Sequence, residues 1–269
     1  MTLAAGVDVG GTKIQAAIVD VESGDVLARE RIPTRPERGG PAILANCVEL
    51  VERIAGDTAV RGVGLGLCEF VDLDGRATSA ETIDWRGTDV AASFRHIAPA
   101  RLESDVRAAA LAEARFGAGR DQTGPWVYVT VGTGISFALV TDGRPYAGAR
   151  GNAIVLGAPP VEGIASGLAL KRRAGAAAEM FLAQPDSIRI VSEATQALGL
   201  ALAALVNALD PAVVVIGGGL GLVESYRAAA VETMRSAIDA PATRDVPVVP
   251  ARLGADAGSI GAAVVGAGG

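Results

Sequence analysis

A glycine turn between two apolar segments, near the start of the chain, constrains the fold more than any other feature. The turn belongs to the sequence D-V-G-G-T-K, which runs from Asp8 to Lys13. The apolar runs Leu3 to Val9 and Ile14 to Val19 surround it. We predict two strands joined by a tight turn, because glycine tolerates unusual backbone angles and lets an anion approach the N–H groups.

The side chains around this turn favour phosphate binding, although an ordinary glycine hairpin explains G-G-T alone equally well. Gly10 and Gly11 offer backbone donors, Thr12 adds a hydroxyl and Lys13 adds a positive charge. Asp8 supplies a carboxylate oxygen of the kind that hydrated Mg²⁺ prefers. The turn is not a Walker loop, because G-x-x-x-x-G-K-[ST] and the helix that follows it are missing. We therefore predict a phosphate-binding turn of another type.

The opening pattern recurs in the second half of the chain. Strands predicted for Trp126 to Val131 and Ile135 to Val140 flank a G-T-G turn, which indicates a duplicated lobe. A later buried strand, Ala212 to Ile216, ends in three glycines, a flat backbone on which a base or ribose can rest. The candidate phosphate- and nucleoside-binding residues in this half of the chain are Gly132, Thr133, Gly134, Gly217, Gly218 and Gly219.

Between these turns the chain alternates helices and strands. The first lobe has the predicted order β-β-β-α-β, with its helix from about Pro41 to Ala55. A short helix is predicted from Val90 to Ile97 and another from Asp105 to Gly117. In this pattern Asp105 has an evident structural role as the N-cap of its helix. The sequence therefore predicts an α/β protein.

Composition narrows the class of protein. A chain of 269 residues can form two modest lobes, and a net charge of −6 makes a nucleic-acid surface unexpected. Cys47 and Cys68 fit no metal spacing and are expected to be buried thiols in a reducing compartment. No signal peptide or membrane span is evident. We expect a cytoplasmic protein without nucleic-acid or membrane partners.

Six motifs, in this order, make the chain resemble the ROK family of sugar kinases, within the actin-like, hexokinase and Hsp70 ATPase superfamily. They are D-V-G-G-T-K from Asp8, S-D-V-R-A-A-A-L-A-E-A from Ser104, V-G-T-G-I from Val131, A-S-G-L-A-L from Ala165, V-V-I-G-G-G-L from Val214 and A-G-S-I-G-A-A from Ala257. The resemblance implies a two-lobed, actin-like (ribonuclease H-like) α/β fold with a mixed sheet in each lobe. We expect a small lobe over 1–104, a large lobe over 105–256, and a terminal helix at about 257–269 that packs on the first lobe.

The resemblance also implies an ATP- and Mg²⁺-dependent kinase with ATP in the cleft. The first glycine turn and the turn at Thr133 would flank the β- and γ-phosphates, while the three glycines from Gly217 would hold the adenosine. Asp8 would hold Mg²⁺ through water. Asp105 matches the catalytic aspartate of the family, which accepts the proton of the sugar hydroxyl. It can serve as N-cap and base together.

The part of the sequence that would recognise the sugar departs from the family. Sugar-phosphorylating members of the family that this chain resembles usually carry G-E-I-G-H, followed by a cysteine-rich zinc motif. In this chain Val155 and Ala158 replace the glutamate and the histidine of G-E-I-G-H. The cysteine block is deleted. A tetrahedral zinc site needs about four N or S ligands, and the chain has two cysteines and one histidine. We expect no structural zinc.

Further departures concern individual contacts. Cys68 and Glu69 replace a proline-glycine pair, and Ser104 and Arg107 replace asparagines around the catalytic aspartate. Glu81 or Thr82 takes the place of a sugar-contacting asparagine. Glu162 aligns with a glutamate that contacts the sugar in relatives, but it equally suits a helix N-terminus. The candidate substrate-binding residues are Gly66, Glu69, Glu81, Ser104, Asp105 and Glu162.

These changes suggest an active kinase with an altered acceptor. A buried carboxylate is costly unless it is paired, so Glu69 and Glu81 would suit an ammonium group. The hypothesis is a hexose or amino-hexose, such as kanosamine, phosphorylated at its 6-hydroxyl. The alternative for both glutamates is that they face solvent in loops.

Two other classes of function occur in this family. A non-catalytic sugar- or nucleotide-binding relative is compatible with the altered pocket. A transcriptional repressor of the family would carry a helix-turn-helix domain ahead of the first strand, whereas only Met1 to Ala5 precede it here. Dimers are common among relatives, so we expect a homodimer.

Overall fold

The computed structural model describes residues 1–156, 160–175 and 188–269. They form two compact units, each built on a five-stranded sheet. Unit 1 contains Met1–Gly117, Pro145–Ala153 and Asp256–Gly269, and unit 2 contains Ala118–Arg144 and Ile154–Ala255.

The strands of the described residues are β1 (Leu3–Val9), β2 (Lys13–Asp20), β3 (Val26–Pro33), β4 (Val63–Leu67), β5 (Ala100–Ser104), β6 (Trp126–Val131), β7 (Ile135–Thr141), β8 (Arg144–Pro145), β9 (Val214–Gly217) and β10 (Val248–Pro250). The helices are α1 (Gly39–Ala55), α2 (Val90–Phe94), α3 (Asp105–Phe116), α4 (Glu162–Ala165), α5 (Gly167–Ala174), α6 (Ile188–Leu209), α7 (Glu224–Ser236) and α8 (Ala257–Gly266). Short 3-10 turns occur at Pro36–Arg38, Pro241–Thr243 and Gly254–Asp256.

The sheet of unit 1 has the order β3-β2-β1-β4-β5. β1 and β2 pair antiparallel, as do β2 and β3, whereas β4 runs parallel to both β1 and β5. All five residues of β4 are buried, as expected for a strand in the parallel part of a sheet covered by helices. The carboxyl ends of β1, β4 and β5 therefore meet at one edge of the sheet.

Small residues allow the last helix to lie directly on this sheet. A Cβ atom at Gly6 of β1 would come within 1.8 Å of the Ser259 carbonyl oxygen, and one at Gly64 of β4 within 1.7 Å of the Ala262 carbonyl oxygen. Gly261 is equally close to the backbone of α3. The small residues at these positions of β1, β4 and α8 thus allow the last helix to pack within unit 1.

The sheet of unit 2 has the order β10-β9-β6-β7-β8. β6 and β7 pair antiparallel, and β9 runs parallel to β6 and β10. In the helical layer, α6 packs on α7, where a Cβ at Gly199 would lie 2.5 Å from the Ala230 carbonyl oxygen. The Tyr226 hydroxyl donates to the Ala165 carbonyl at 2.7 Å and links α7 to α4.

The two sheets repeat one topology. In each, a three-stranded antiparallel meander is followed by two strands parallel to its first strand, and the first connection is a glycine-threonine turn. The predicted α/β class, with a mixed sheet in each lobe, is confirmed. The predicted duplication is visible in the strand order.

Some local predictions differ from the structure. The helix predicted to reach Ile97 ends at Phe94, and the Ile97 N–H closes a tighter turn on the Phe94 carbonyl at 2.8 Å. The N-cap of α3 is Ser104, and Asp105 is the first helical residue. Unit 1 continues to Gly117, whereas the expected lobe boundary lay at Ser104, because α3 packs on α8.

Helix α6 is the single described helix that is long and apolar enough to cross a membrane, judged by length and composition alone. Its buried side chains, among them Leu198, Leu202 and Val206, belong to the core of unit 2. Burial of one face is the usual pattern of an amphipathic helix in a folded domain.

Candidate active site

The first glycine turn is closed by its own backbone and leaves donors exposed. The Gly10 N–H donates to the Lys13 carbonyl at 3.0 Å, and the Thr34 hydroxyl donates to the Gly10 carbonyl at 2.6 Å. Among the described residues, the N–H groups of Gly11 and Thr12 donate to no protein acceptor. The side chains of Thr12 and Lys13 are exposed. These donors are available to an anion.

Asp8 lies at the carboxyl end of β1, between Gln15 of β2 and Gly66 of β4. Its half-buried carboxylate lies against α8, where a Cβ at Gly258 would be 2.6 Å from the Asp8 Cγ. Burial raises the pKa of Asp8 to about 6, against the opposing charges of Lys13 and Arg31. A glycine in α8 is therefore what leaves room for this carboxylate.

Asp105 begins α3, directly after β5. A Cβ at Gly66 would lie 3.4 Å from the Asp105 Cα, so the absence of a side chain in β4 makes room for the start of the helix. The carboxylate accepts the Val106 N–H at 2.6 Å. Burial, then the charge of Asp8, and to a smaller extent that of Glu69, raise the pKa of Asp105 to about 7, although the bond from Val106 opposes the shift. A carboxyl group with this pKa can exchange a proton near neutral pH.

The second glycine turn, in unit 2, is also closed by its own backbone, with one residue fewer between the bonded groups than in the first turn. The Gly132 N–H donates to the Gly134 carbonyl at 2.9 Å, and Thr133 is exposed. The first N–H groups of α5 hold this turn from behind: Gly167 donates to the Gly132 carbonyl at 2.7 Å and Leu168 to the Thr133 carbonyl at 3.2 Å. The A-S-G-L-A-L motif thus supports the turn.

Glu162 also contacts this second turn. Its Oε1 accepts the Ile135 N–H at 3.2 Å, and a Cβ at Gly134 would lie 2.4 Å from that oxygen. Glu162 is the first residue of α4, a position that favours a carboxylate. Its role as a sugar contact stays a prediction.

The three glycines after β9 lie beside the same turn. Gly218 has φ 81°, a left-handed conformation that favours glycine, and a Cβ there would be 2.4 Å from the Val131 carbonyl oxygen. Leu220 and Gly221 donate to that carbonyl at 3.0 and 2.9 Å. Unit 2 therefore brings the G-T-G turn and the triple glycine together.

Glu69, Glu81 and Ser104 lie in unit 1 and Val155 lies in unit 2, and these residues differ in exposure. Glu69 is buried and Glu81 is exposed. The Ser104 hydroxyl is buried and has no hydrogen-bond partner among the described residues. Val155 is 44 % exposed. Ala158 lies outside the described residues.

Arg107, which replaces an asparagine of the family, lies two residues after Asp105 and connects the start of α3 to two loops. Its buried guanidinium pairs with Glu103 and donates to the carbonyls of Val71, at 2.8 Å, and Gly151. The spacing of four residues between Glu103 and Arg107 is a readable signal for an ion pair. The two carbonyls come from distant loops, for which the sequence gives no signal.

The duplicated unit, with a glycine-threonine turn after the first strand of each sheet, defines an α/β protein of the actin-like ATPase fold. The family model matches residues 4–267, and the chain belongs to the ROK family. The family predicted from the six motifs is confirmed.

Named relatives differ in what they act on. The fructokinase of Zymomonas mobilis is 31% identical over 288 residues, which cover 94% of this chain and 92% of that protein. The bifunctional enzyme NanE/NanK of Brucella melitensis is 31% identical over 95% of this chain, and the chain spans about half of its length, 52%. The structure of a ROK family glucokinase from Streptomyces griseus in complex with glucose and AMPPNP is 28% identical, with a TM-score of 0.84 over 99% of this chain and 100% of that one.

Proposed function

We propose that the chain is an ATP-dependent carbohydrate kinase in which Asp105 is the general base. The observation that carries the proposal is the state of Asp105: a half-buried carboxylate at a helix start, with a pKa raised to about 7 and Asp8 within electrostatic reach. Strongly perturbed carboxylates of this kind concentrate at functional sites. The glucokinase relative, with glucose and AMPPNP in its complex, supports sugar and nucleotide as the ligand classes.

In the proposed reaction the acceptor hydroxyl oxygen attacks the γ-phosphorus of ATP. A bond forms between that oxygen and phosphorus, the bond from phosphorus to the bridging oxygen breaks, and ADP leaves. The hydroxyl proton passes to Asp105. Thr12, Lys13 and the exposed N–H groups of Gly11 and Thr12 bind phosphate oxygens, as does the turn at Thr133 and Gly134. The three glycines at 217–219 bind the adenosine.

The residues of unit 1 fit a hydrated Mg²⁺. In residues 1–156, 160–175 and 188–269 no cluster of three or more His, Cys, Asp or Glu side chains could hold a metal by itself. Mg²⁺ needs no such cluster, because it usually binds one or two carboxylates, waters and substrate phosphates. Asp8, whose pKa is raised by burial, has the donor chemistry for it. When bound with ATP, Mg²⁺ neutralises phosphate charge.

The acceptor class in this proposal is a hexose or amino-hexose, phosphorylated at the 6-hydroxyl. Of the two glutamates considered for an ammonium group, Glu69 has both carboxylate oxygens occupied by protein donors. Glu81 is exposed and accepts no hydrogen bond from the described residues. The exposure of Glu81 fits the solvent-facing alternative, so burial gives it no need of a partner. Of the two glutamates it is the one whose carboxylate can still pair with the ammonium of an amino-hexose.

The experiment is an ADP-release assay with ATP, Mg²⁺ and a panel of glucose, fructose, N-acetylmannosamine, glucosamine and kanosamine. We expect turnover by the wild type and loss of turnover in Asp105→Asn, with the product's phosphate position assigned by NMR. Binding of a sugar without turnover would establish the non-catalytic alternative. Far better turnover of glucose or N-acetylmannosamine than of any free-amine sugar would exclude the amino-sugar assignment.

A further inference from the structure

Glu69 follows β4 and is 2 % exposed, yet every bond of its carboxylate goes to one short segment. One oxygen accepts the Ser79 hydroxyl and the Glu81 N–H, the latter at 2.9 Å. The other accepts the N–H groups of Thr82 and Ile83 at 2.7 and 2.8 Å. A carboxylate has about four acceptor sites. Four donors therefore saturate Glu69 and leave no free acceptor for a ligand.

The segment that Glu69 holds, residues 79–83, reaches the first glycine turn. A Cβ at Gly11 would lie 3.0 Å from the Thr82 methyl group, so the two are in contact. At the other end, the Ser79 hydroxyl oxygen accepts the Phe70 N–H at 2.9 Å.

This segment lies at the sheet edge that carries Asp105. Leu67, the last residue of β4, pairs with Val9 on one side and with Ser104 on the other. Glu69 therefore leaves the sheet between the strand ends that present Asp8 and Asp105. An acceptor hydroxyl that gives its proton to Asp105 must sit at this edge.

Resting on the proposed function, we propose that Glu69 is a positioning residue, which fixes residues 79–83 beside Asp105 and thereby sets the affinity for the acceptor. The carboxylate acts through the segment that it holds and does not contact the acceptor. Glutamate is required here because four converging donors need an acceptor without any N–H of its own.

Glu69→Gln tests this inference with almost no change of volume. An amide NH₂ in place of either oxygen would face at least one backbone N–H, so the segment loses bonds. We expect the KM for the acceptor to rise about tenfold, which corresponds to about 1.4 kcal/mol, and the KM for ATP to change by less than about threefold. The smaller effect on ATP is expected because the segment meets the first glycine turn through the methyl group of Thr82, which binds no phosphate.

A second variant and a matched control accompany this substitution. Ser79→Ala removes one of the four bonds without touching the buried carboxylate, and we expect the acceptor KM to change in the same direction by a smaller factor. If Glu69→Gln fails to fold, the acceptor KM of Ser79→Ala decides whether the segment sets the affinity for the acceptor. Asp74→Asn removes a carboxylate from an exposed turn nearby, where the side chain is 70% exposed, and we expect unchanged constants.

Hydrogen–deuterium exchange of residues 79–83 gives a readout independent of activity. We expect the amides of Glu81, Thr82 and Ile83 to exchange at least about tenfold faster in Glu69→Gln than in wild type. In Ser79→Ala, which leaves their three bonds to Glu69 in place, we expect faster exchange by a smaller factor. Unchanged exchange, an unchanged acceptor KM, or an equal rise of both KM values would overturn the inference. A wild type that turns over no sugar overturns the proposed function instead, and the exchange result then decides whether Glu69 holds the segment.

Discussion

Asp8 and Asp105 stand at the carboxyl ends of β1 and β5, and the negative charge of Asp8 raises the pKa of Asp105. Burial is the larger cause for Asp105, and it is also the main cause for Asp8. β4 lies between the two strands, and its Gly66 adjoins both residues. Two carboxylates that are both costly to ionise suit an acid–base role for one and a cation-binding role for the other.

Asp105→Asn should nearly abolish turnover. The amide oxygen can still accept the Val106 N–H, so the helix start is preserved, but the proton acceptor is lost. We expect kcat to fall by about 10²–10⁴-fold and the KM for ATP to change little. Steady-state kinetics on the best sugar measures both, with Asp74→Asn as the control. A variant that keeps more than a tenth of wild-type kcat would contradict the base assignment.

The activity should fall on the acid side of neutrality. A base works only when deprotonated, so kcat/KM for the acceptor should decline about tenfold per pH unit below the pKa of Asp105, which is raised to about 7. The residual rate of Asp105→Asn should show no such decline at acidic pH. The test is the pH dependence of the rate from pH 5 to 9 at saturating Mg²⁺. A wild-type rate that declines only below pH 5 would contradict the assignment of Asp105 as the base.

The same substitution should stabilise the protein at alkaline pH. The pKa of Asp105 is raised from 3.8 to about 7 in the folded state, so the folded protein binds a proton that the unfolded chain has lost. The ionised Asp105 thus destabilises the folded protein above pH 7, and this destabilisation disappears as the pH falls towards 4. For this half-buried group we expect Asp105→Asn to gain about 1–3 kcal/mol at pH 8 and much less at pH 5. Urea unfolding at pH 5 and pH 8 measures this gain in stability. The control is Asp121→Asn, a substitution at an exposed residue. Equal gains at the two values would be inconsistent with a buried charge.

The sequence predicted the strands, the glycine turns and the duplicated order because these depend on local patterns. Apolar runs and glycine positions determine β1, β6 and the turns after them, and the six motifs identify the family. The small residues of β1 and α8 were likewise readable, and their close packing follows from the absence of a side chain at Gly6.

The structural role of Glu69 could not be predicted in the same way. Its partners lie 10 to 14 residues further along, in a segment without periodicity, and they converge only when the loop folds back on β4. The sequence offered two alternatives, a sugar contact or a solvent-facing loop residue. The structure instead buries the carboxylate and saturates it. Arg107 is a parallel case, because Val71 and Gly151 provide backbone carbonyls that no motif marks.

Gly258→Ala should displace the Asp8 carboxylate. The added Cβ would come within 2.6 Å of the Asp8 Cγ, and the side chain must rotate away because the helix backbone is held by its neighbours. We expect the Mg²⁺ concentration for half-maximal rate to rise about tenfold or more while stability changes little. The control is Gly163→Ala in α4, where nothing lies within 4 Å of the added methyl group. An unchanged Mg²⁺ titration would argue against the assignment of Asp8.

Arg107→Met should unfold unit 1 more easily without removing any proposed substrate contact. The substitution keeps an apolar stem of similar length but leaves Glu103 and the carbonyls of Val71 and Gly151 without their donor. Removing one partner of a buried pair typically costs about 3–5 kcal/mol, and since Glu103 is 27% exposed we expect about 3 kcal/mol here. Arg76→Met breaks an exposed pair with Asp74 and should cost less than about 0.5 kcal/mol. Urea denaturation of both variants gives the comparison, and a loss below about 1 kcal/mol for Arg107→Met would show that water replaces the guanidinium in this network.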